Sequence, residues 1–208
     1  FFVPENALTY RVIASPEQAL SALTDGGKPA IVLSNIDIAR MTIESPVQCK
    51  YWVFGGAVDM RRTSLKARAD FTDATFTAMF DAGNAVFDAL DMTKARFERE
   101  ANFWKAVFER EAVFRFARFH AIACFSGIRA KGDLVMSAAE VRGKTTFTAA
   151  VFLGDAVFSE TAFHAKADFS DALFHRAAHF SETHFIAEAD FIRTSFFTRA
   201  SFENVTFE

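Results

Sequence analysis

Residues 167–207 read ADFSDALFHRAAHFSETHFIAEADFIRTSFFTRASFENVTF. Phe falls at positions 169, 174, 180, 185, 191, 196, 202 and 207, so the steps alternate between five and six residues. Two residues before each Phe stands a small or β-branched residue: Ala167, Ala172, Ala178, Thr183, Ala189, Thr194, Ala200 and Val205. One aromatic type in one recurring niche points to a repeat architecture. The whole chain agrees, with 27 Phe against two Tyr and two Trp in 208 residues.

An eleven-residue period could also describe a hendecad helix. The angular test excludes a single seam. At about 98° per residue, a step of five rotates about 130°, and the next Phe leaves the first stripe. Adding the small residues at minus two spreads the apolar set almost all round. A continuous alternating strand fails as well, because a five-step breaks period-two register. What remains is a chain that runs straight for a few residues, turns, and repeats. Within each straight piece the Phe and the residue two before it face inward, and the residue between them faces out.

The unit Ala-Asp/Asn-Phe recurs as Ala69-Asp70-Phe71, Ala101-Asn102-Phe103, Ala167-Asp168-Phe169 and Ala189-Asp190-Phe191. These units resemble the pentapeptide repeat. The resemblance implies an all-β right-handed quadrilateral β-helix with four short faces per coil. This chain departs from the simplest form because every second unit has a sixth residue, which gives a coil of about 22 residues instead of 20. The resemblance covers roughly residues 30–207. It speaks strongly for fold and hardly at all for activity.

Carried backward, the frame places inward centres at Val32, Ile38, Ile43, Cys49, Phe54, Met60, Leu65, Phe71 and onward to Phe163. Two centres are small, Ala82 and Ala130, but their partners two residues earlier are Phe80 and Ile128. Large and small members have exchanged places, which conserves core volume. One step, from Phe87 to Met92, is five where six is due, so a tightened corner is expected over Asp88-Ala89-Leu90-Asp91. The frame predicts about eight coils, and at ~4.8 Å per coil a rod roughly 40 Å long.

Two domains are expected, an arm and capping helix over 1–30 and the β-helix over 31–208. A stacked solenoid leaves open strand edges that need covering. Ser15-Pro16-Glu17-Gln18 reads as a capping box with Pro at the first helical position. The spacing predicts a helix over Pro16–Thr24, ended by Asp25-Gly26-Gly27, with residues 1–14 as a strand or extended arm beside it. The opening Phe1-Phe2 without Met suggests an upstream segment. Phe207-Glu208 stops in mid-pattern, which suggests either further chain or a homodimer through the open C-terminal coil.

The charge is −3, from 26 acidic and 23 basic residues. That balance predicts no direct nucleic-acid partner and no strong acidic field. Charges over residues 94–118 alternate in sign and read as a salt-bridged surface. Cys49 and Cys124 make no disulfide framework, and a reducing, cytoplasmic setting suits them. No apolar run approaches the ~20 residues of a membrane span, and no signal-peptide pattern is visible.

Stacking the frame defines outward columns. Asp37, Asp59 and Asp81 share one, continued by Asn102, Asp168 and Asp190. It reads either as a stripe for a cationic partner or as residues suited to hydrogen-bond their own turns. Val86, Val107, Val151 and Leu173 form a second column, and Val113, Val135 and Val157 a third. These are the candidate partner contacts, together with Trp104, although Val is also simply a good strand former. The five histidines show no metal-ligand spacing, and no catalytic motif, cofactor loop or metal cluster is expected. The favoured reading is a non-catalytic protein-interaction scaffold. The alternative is a DNA-mimic modulator of DNA gyrase, a role that the resemblance implies for some members. That role calls for an acidic rod and a symmetric dimer, and rests here on Asp37, Asp59 and Asp81. An enzyme would have only His175 and His179 as an acid–base pair.

Overall fold

The computed structural model describes residues 10–25 and 28–208. It is a parallel β-solenoid of about nine coils with four faces and one short helix. Every strand pair is parallel and joins residues one coil apart, for example Phe97 with Phe119 and Asp168 with Asp190. The coil is 22 residues long, as the alternating steps require.

Face 1 begins with β1 (Arg11–Ile13) and β2 (Ala30–Val32), continues through Val53–Phe54 and Thr75–Phe76, and ends at Thr206–Phe207. Face 2 runs from Ile36–Asp37 to Ala189–Asp190, face 3 from Thr42–Ile43 to Ser195–Phe196, and face 4 from Val47–Gln48 to Ala200–Ser201. Face 1 has ten strands and the others eight. The extra strands of face 1 account for nearly one coil more than the centre spacing predicts.

Inward and outward assignments follow the frame. Phe54, Phe76, Phe97 and Phe119 stack along face 1 with centroids 4.7, 4.9 and 4.7 Å apart and planes within 7° of parallel. Phe103, Phe125, Phe147 and Phe169 make a second stack at 4.9 Å throughout. The two exchanged pairs behave as expected: Phe80 and Ala82 are both fully buried, as are Ile128 and Ala130. Each buried Phe contributes ~1.5–3 kcal/mol before ordering entropy is subtracted. Threonines at the minus-two position remain compatible with the core because their hydroxyls find a carbonyl in the preceding coil. Thr63 donates to Ile38 at 2.7 Å, Thr161 to Met136 at 2.7 Å and Thr183 to Phe158 at 2.8 Å.

The shortened corner lies where the sequence places it. Val86–Phe87 is followed at once by Leu90–Asp91, with only Asp88 and Ala89 between. The register there drops to 21 residues, pairing Ala69 with Leu90 and Val86 with Val107.

Helix α1 (Pro16–Ala22) is shorter than the expected span. Ser15 caps it, its side chain accepting from the Gln18 N–H at 3.3 Å. Leu23 ends it because its side chain turns into the core and its carbonyl accepts from Gln48 N–H on face 4. Ala19 and Ala22 close the first coil. Strand β1 pairs with β2 and so belongs to face 1, while residues 1–9 of the expected arm and the Gly26-Gly27 stop lie outside the described residues. No helix among the described residues is long and apolar enough to cross a membrane.

Candidate functional site

A solenoid with a filled interior presents chemistry only on its outer faces and corners. The acidic column is assembled on face 2 as expected, in the order Asp37, Asp59, Asp81, Asn102, Cys124, Thr146, Asp168, Asp190. Each carboxylate is engaged locally. Asp37 accepts from Ala39 N–H at 3.0 Å, Asp59 from Arg61 at 3.0 Å and Asp81 from Gly83 at 2.9 Å. Asn102 accepts from Trp104 N–H at 2.9 Å, and Asp168 and Asp190 repeat the bond with Ser170 and Ile192. Asp70 and Asp91 do the same on face 4. These are Asx turns, which let a short side chain hold the corner that follows.

The corner itself is demanding. Its third residue takes positive φ at Arg40, Arg62, Asn84 and Lys105, and at eleven further non-glycine positions. Left-handed backbone costs an L-residue ~1–2 kcal/mol. Among the described residues, Gly127 is the one glycine in this role. The stacked coil therefore dictates the corner and its side chains comply.

Arg61 lies across the acidic column. Its guanidinium reaches Asp59 at 2.5–3.1 Å and Asp81 at 3.8 Å. The Arg61 hydrogen bond holds the Asp59 carboxyl below the usual range, against a smaller opposing effect of burial. Part of the charge alternation over 94–118 resolves into pairs between neighbouring coils, and Arg96 lies 3.7 Å from Glu98 within one coil. Arg110 binds Asp88, Lys131 binds Glu109 at 2.7 Å, and Arg118 lies 3.7 Å from Glu140.

The valines face outward, but they are not the open patch that the columns imply. Val86, Val107, Val113, Val151, Val157 and Leu173 are half-buried, and Val135 is only 9% exposed. Strand spacing is the reason: at ~4.8 Å each side chain closes on those above and below. The column on face 3 is also interrupted by Arg129, which stands between Val107 and Val151. Trp104 is the exception among the expected contacts, at 43% exposed. Most of the other large apolar side chains in contact with solvent sit at corners, among them Phe116, Ile122, Met79 and Tyr51, while Val12 lies on β1 and Phe202 and Phe207 are centres of the last coil. Periodicity alone does not select them. Their signal is an apolar residue out of frame, as Phe116 is two places beyond the centre Phe114.

Trp104 borders a sizeable surface groove. It measures about 480 Å³ and follows the corner between faces 2 and 3. Asp59, Arg61, Asp81, Gly83 and Asn102 line it with Trp104. The histidines do not converge. His175 stacks on Phe197 at 4.7 Å, and His179 lies on face 4 above Val157. His120 and His164 share a corner column with Arg142 between them, and each faces a different carboxylate, Glu98 at 2.7 Å and Glu140 at 3.8 Å. Among the described residues no three His, Cys, Asp or Glu side chains gather as a metal ion would need. Cys49 is buried, and its burial pushes the thiol well up.

No protein-family model matches the chain, and no curated protein matches its sequence.

Proposed function

We propose that this solenoid is of the pentapeptide-repeat type and works as a non-catalytic protein-interaction scaffold. The observation that carries the reading is the filled interior. Phe125 is fully buried and sandwiched between Phe103 and Phe147 at 4.9 Å on each side, and the same packing recurs from coil to coil. Such a core holds no substrate, whereas the rod presents four ladders of fixed spacing to a partner. The acidic column supports DNA mimicry less well. It is interrupted by Asn102, Cys124 and Thr146, and Arg61 neutralises part of it.

Two assays separate the readings. In the first, purified chain is titrated into a DNA gyrase supercoiling reaction, with relaxation controls lacking gyrase. The scaffold reading expects no inhibition. Inhibition at micromolar protein that is lost when Asp37, Asp59 and Asp81 become Asn would replace it with DNA mimicry. In the second, a photo-crosslinking amino acid is placed in cells at positions 104, 107 and 157, with position 75 as a control. Discrete adducts from the first three support the scaffold, and labelling no different from position 75 removes these faces as its contact surface.

A further inference from the structure

We infer that the groove at the corner of faces 2 and 3 is a binding site for a neutral oligosaccharide. The shape comes from one missing side chain. The corner column reads Ala39, Arg61, Gly83, Trp104 along the rod. Gly83 leaves a gap between Arg61 and Trp104 of two coil spacings, roughly 9–10 Å. Its backbone does not require glycine: φ is not in the left-handed region, and an added Cβ would meet the Asp81 carboxylate oxygen at 3.1 Å, with the Asn102 amide nitrogen at 3.5 Å and the Trp104 carbonyl oxygen at 3.8 Å in ordinary contact. Gly56, Gly132, Gly143 and Gly154 differ, since a Cβ there would drive into the backbone of the preceding coil at 2.2–2.5 Å. Packing accounts for those four glycines but not for Gly83, whose effect is to open the groove.

The floor is polar and held in place. Asp81 Oδ1 accepts from Gly83 N–H and from Asn102 Nδ2, both at 2.9 Å. Asn102 Oδ1 accepts from Trp104 N–H, so the amide is oriented from both of its ends. Arg61 is fixed by Asp59 and leans toward Asp81. Planar carboxylate, amide and guanidinium groups of set direction suit vicinal hydroxyls, which both donate and accept. Trp104 supplies an apolar plane at one end. The Lys105 ammonium lies over its ring at 4.4 Å and is not among the residues that line the groove.

Charge selects the ligand class. Asp37, Asp59 and Asp81 are matched by Arg40, Arg61 and Arg62 along the same groove, so it exerts no net pull on a polyanion or a polycation. An apolar ligand would strand these polar groups. A hydroxylated ring with one apolar face satisfies both walls. Asp37 to Asn102 spans three coil spacings, roughly 14 Å, the reach of a short linear chain of rings rather than of one. The groove volume lies within the ~300–1,000 Å³ common for ligand clefts.

The molecule carries its own reporter. Trp104 is exposed, whereas Trp52, the other tryptophan, is fully buried. Cellohexaose, mannohexaose and N-acetylchitohexaose would be titrated separately up to about 10 mM, a range that covers Kd values in the millimolar region. Tryptophan emission and calorimetry are the readouts. The expected result is saturable binding of at least one of them, a blue shift of the exposed tryptophan, and protection of it from acrylamide. Trp104→Ala and Gly83→Leu should each weaken binding at least tenfold while the melting temperature holds. If either variant unfolds, acrylamide protection in the unaltered protein still decides. No binding by any of the three, or binding that survives both substitutions, overturns the proposal. So does a groove that takes tetralysine or pyrophosphate in their place.

Discussion

The two ends of the rod are built from the same repeat and differ in what lies against them. At the N-terminal end the centres are smaller, and Val32, Ile38 and Cys49 are no more than 2% exposed beneath β1 and α1, with Ile43 on face 3 half-buried. At the C-terminal end the centres are the larger Phe, yet Phe202 is 40% and Phe207 64% exposed. Phe180, one coil earlier in the Phe202 stack, is fully buried. The same residue at the same repeat position thus carries different energy according to whether another coil follows. In a solenoid, burial belongs to the interface between coils and not to the residue.

The sharpest check compares truncations along the rod. Phe125→Ala should cost ~3–5 kcal/mol, since both stacked neighbours lose contact. Phe207→Ala should cost under about 1 kcal/mol, within the range of surface changes. Urea unfolding of both variants measures the difference, and equal losses would refute the account of the two ends. Gly143→Ala comes next. Its Cβ would lie 2.2 Å from Ala121 backbone, so a loss of ~1–3 kcal/mol is expected, against little change for Gly83→Ala. Removing the cap should act locally. Ser15→Ala should cost about 1 kcal/mol, seen as faster amide exchange at Gln48, whose N–H bonds the helix end, with no change at Phe125.

The smallest expected effect is that of acid. Asp59 and Glu140 are held below their ordinary range, chiefly by hydrogen bonds from Arg61 and Arg142. A depressed carboxylate contributes stability that is full above its unfolded pKa and is lost as pH falls through its folded pKa. Asp73 opposes them: burial raises it, so its contribution favours the fold at low pH and is lost as pH rises through its folded value. Glu17, Asp88, Asp91, Asp168 and Asp171 are lowered as well, so the depressed carboxylates outnumber it. A melting temperature modestly lower at pH 3 than at pH 7 is expected by calorimetry.

Much of the architecture was legible because the core is a one-dimensional pattern. Alternating steps placed Phe80 and Ala82 correctly even where large and small had exchanged, and a single missing residue located the corner at Asp88-Ala89. The cap was legible through Ser15 and Pro16, although Leu23 stopped the helix sooner than propensity suggests because its side chain had a core to enter. The candidate site was less so. The columns containing Asp81 and Val135 were placed correctly, but one proved to hold its own turns and the other to be half closed over by its neighbours. The groove beside Trp104 could not be found from spacing, since Gly83 looks in sequence like any other corner glycine.

The sequence by itself determined which side chains face inward, which residues stand above one another, and where the coil shortens. Those properties depend only on period, and each coil repeats the last. The tertiary structure alone decided how much of each outward side chain meets solvent, which corners take left-handed backbone, and which glycine opens a groove rather than admitting a neighbouring strand. Those depend on distances between residues about 22 apart, and they are settled only when one coil is laid on the next.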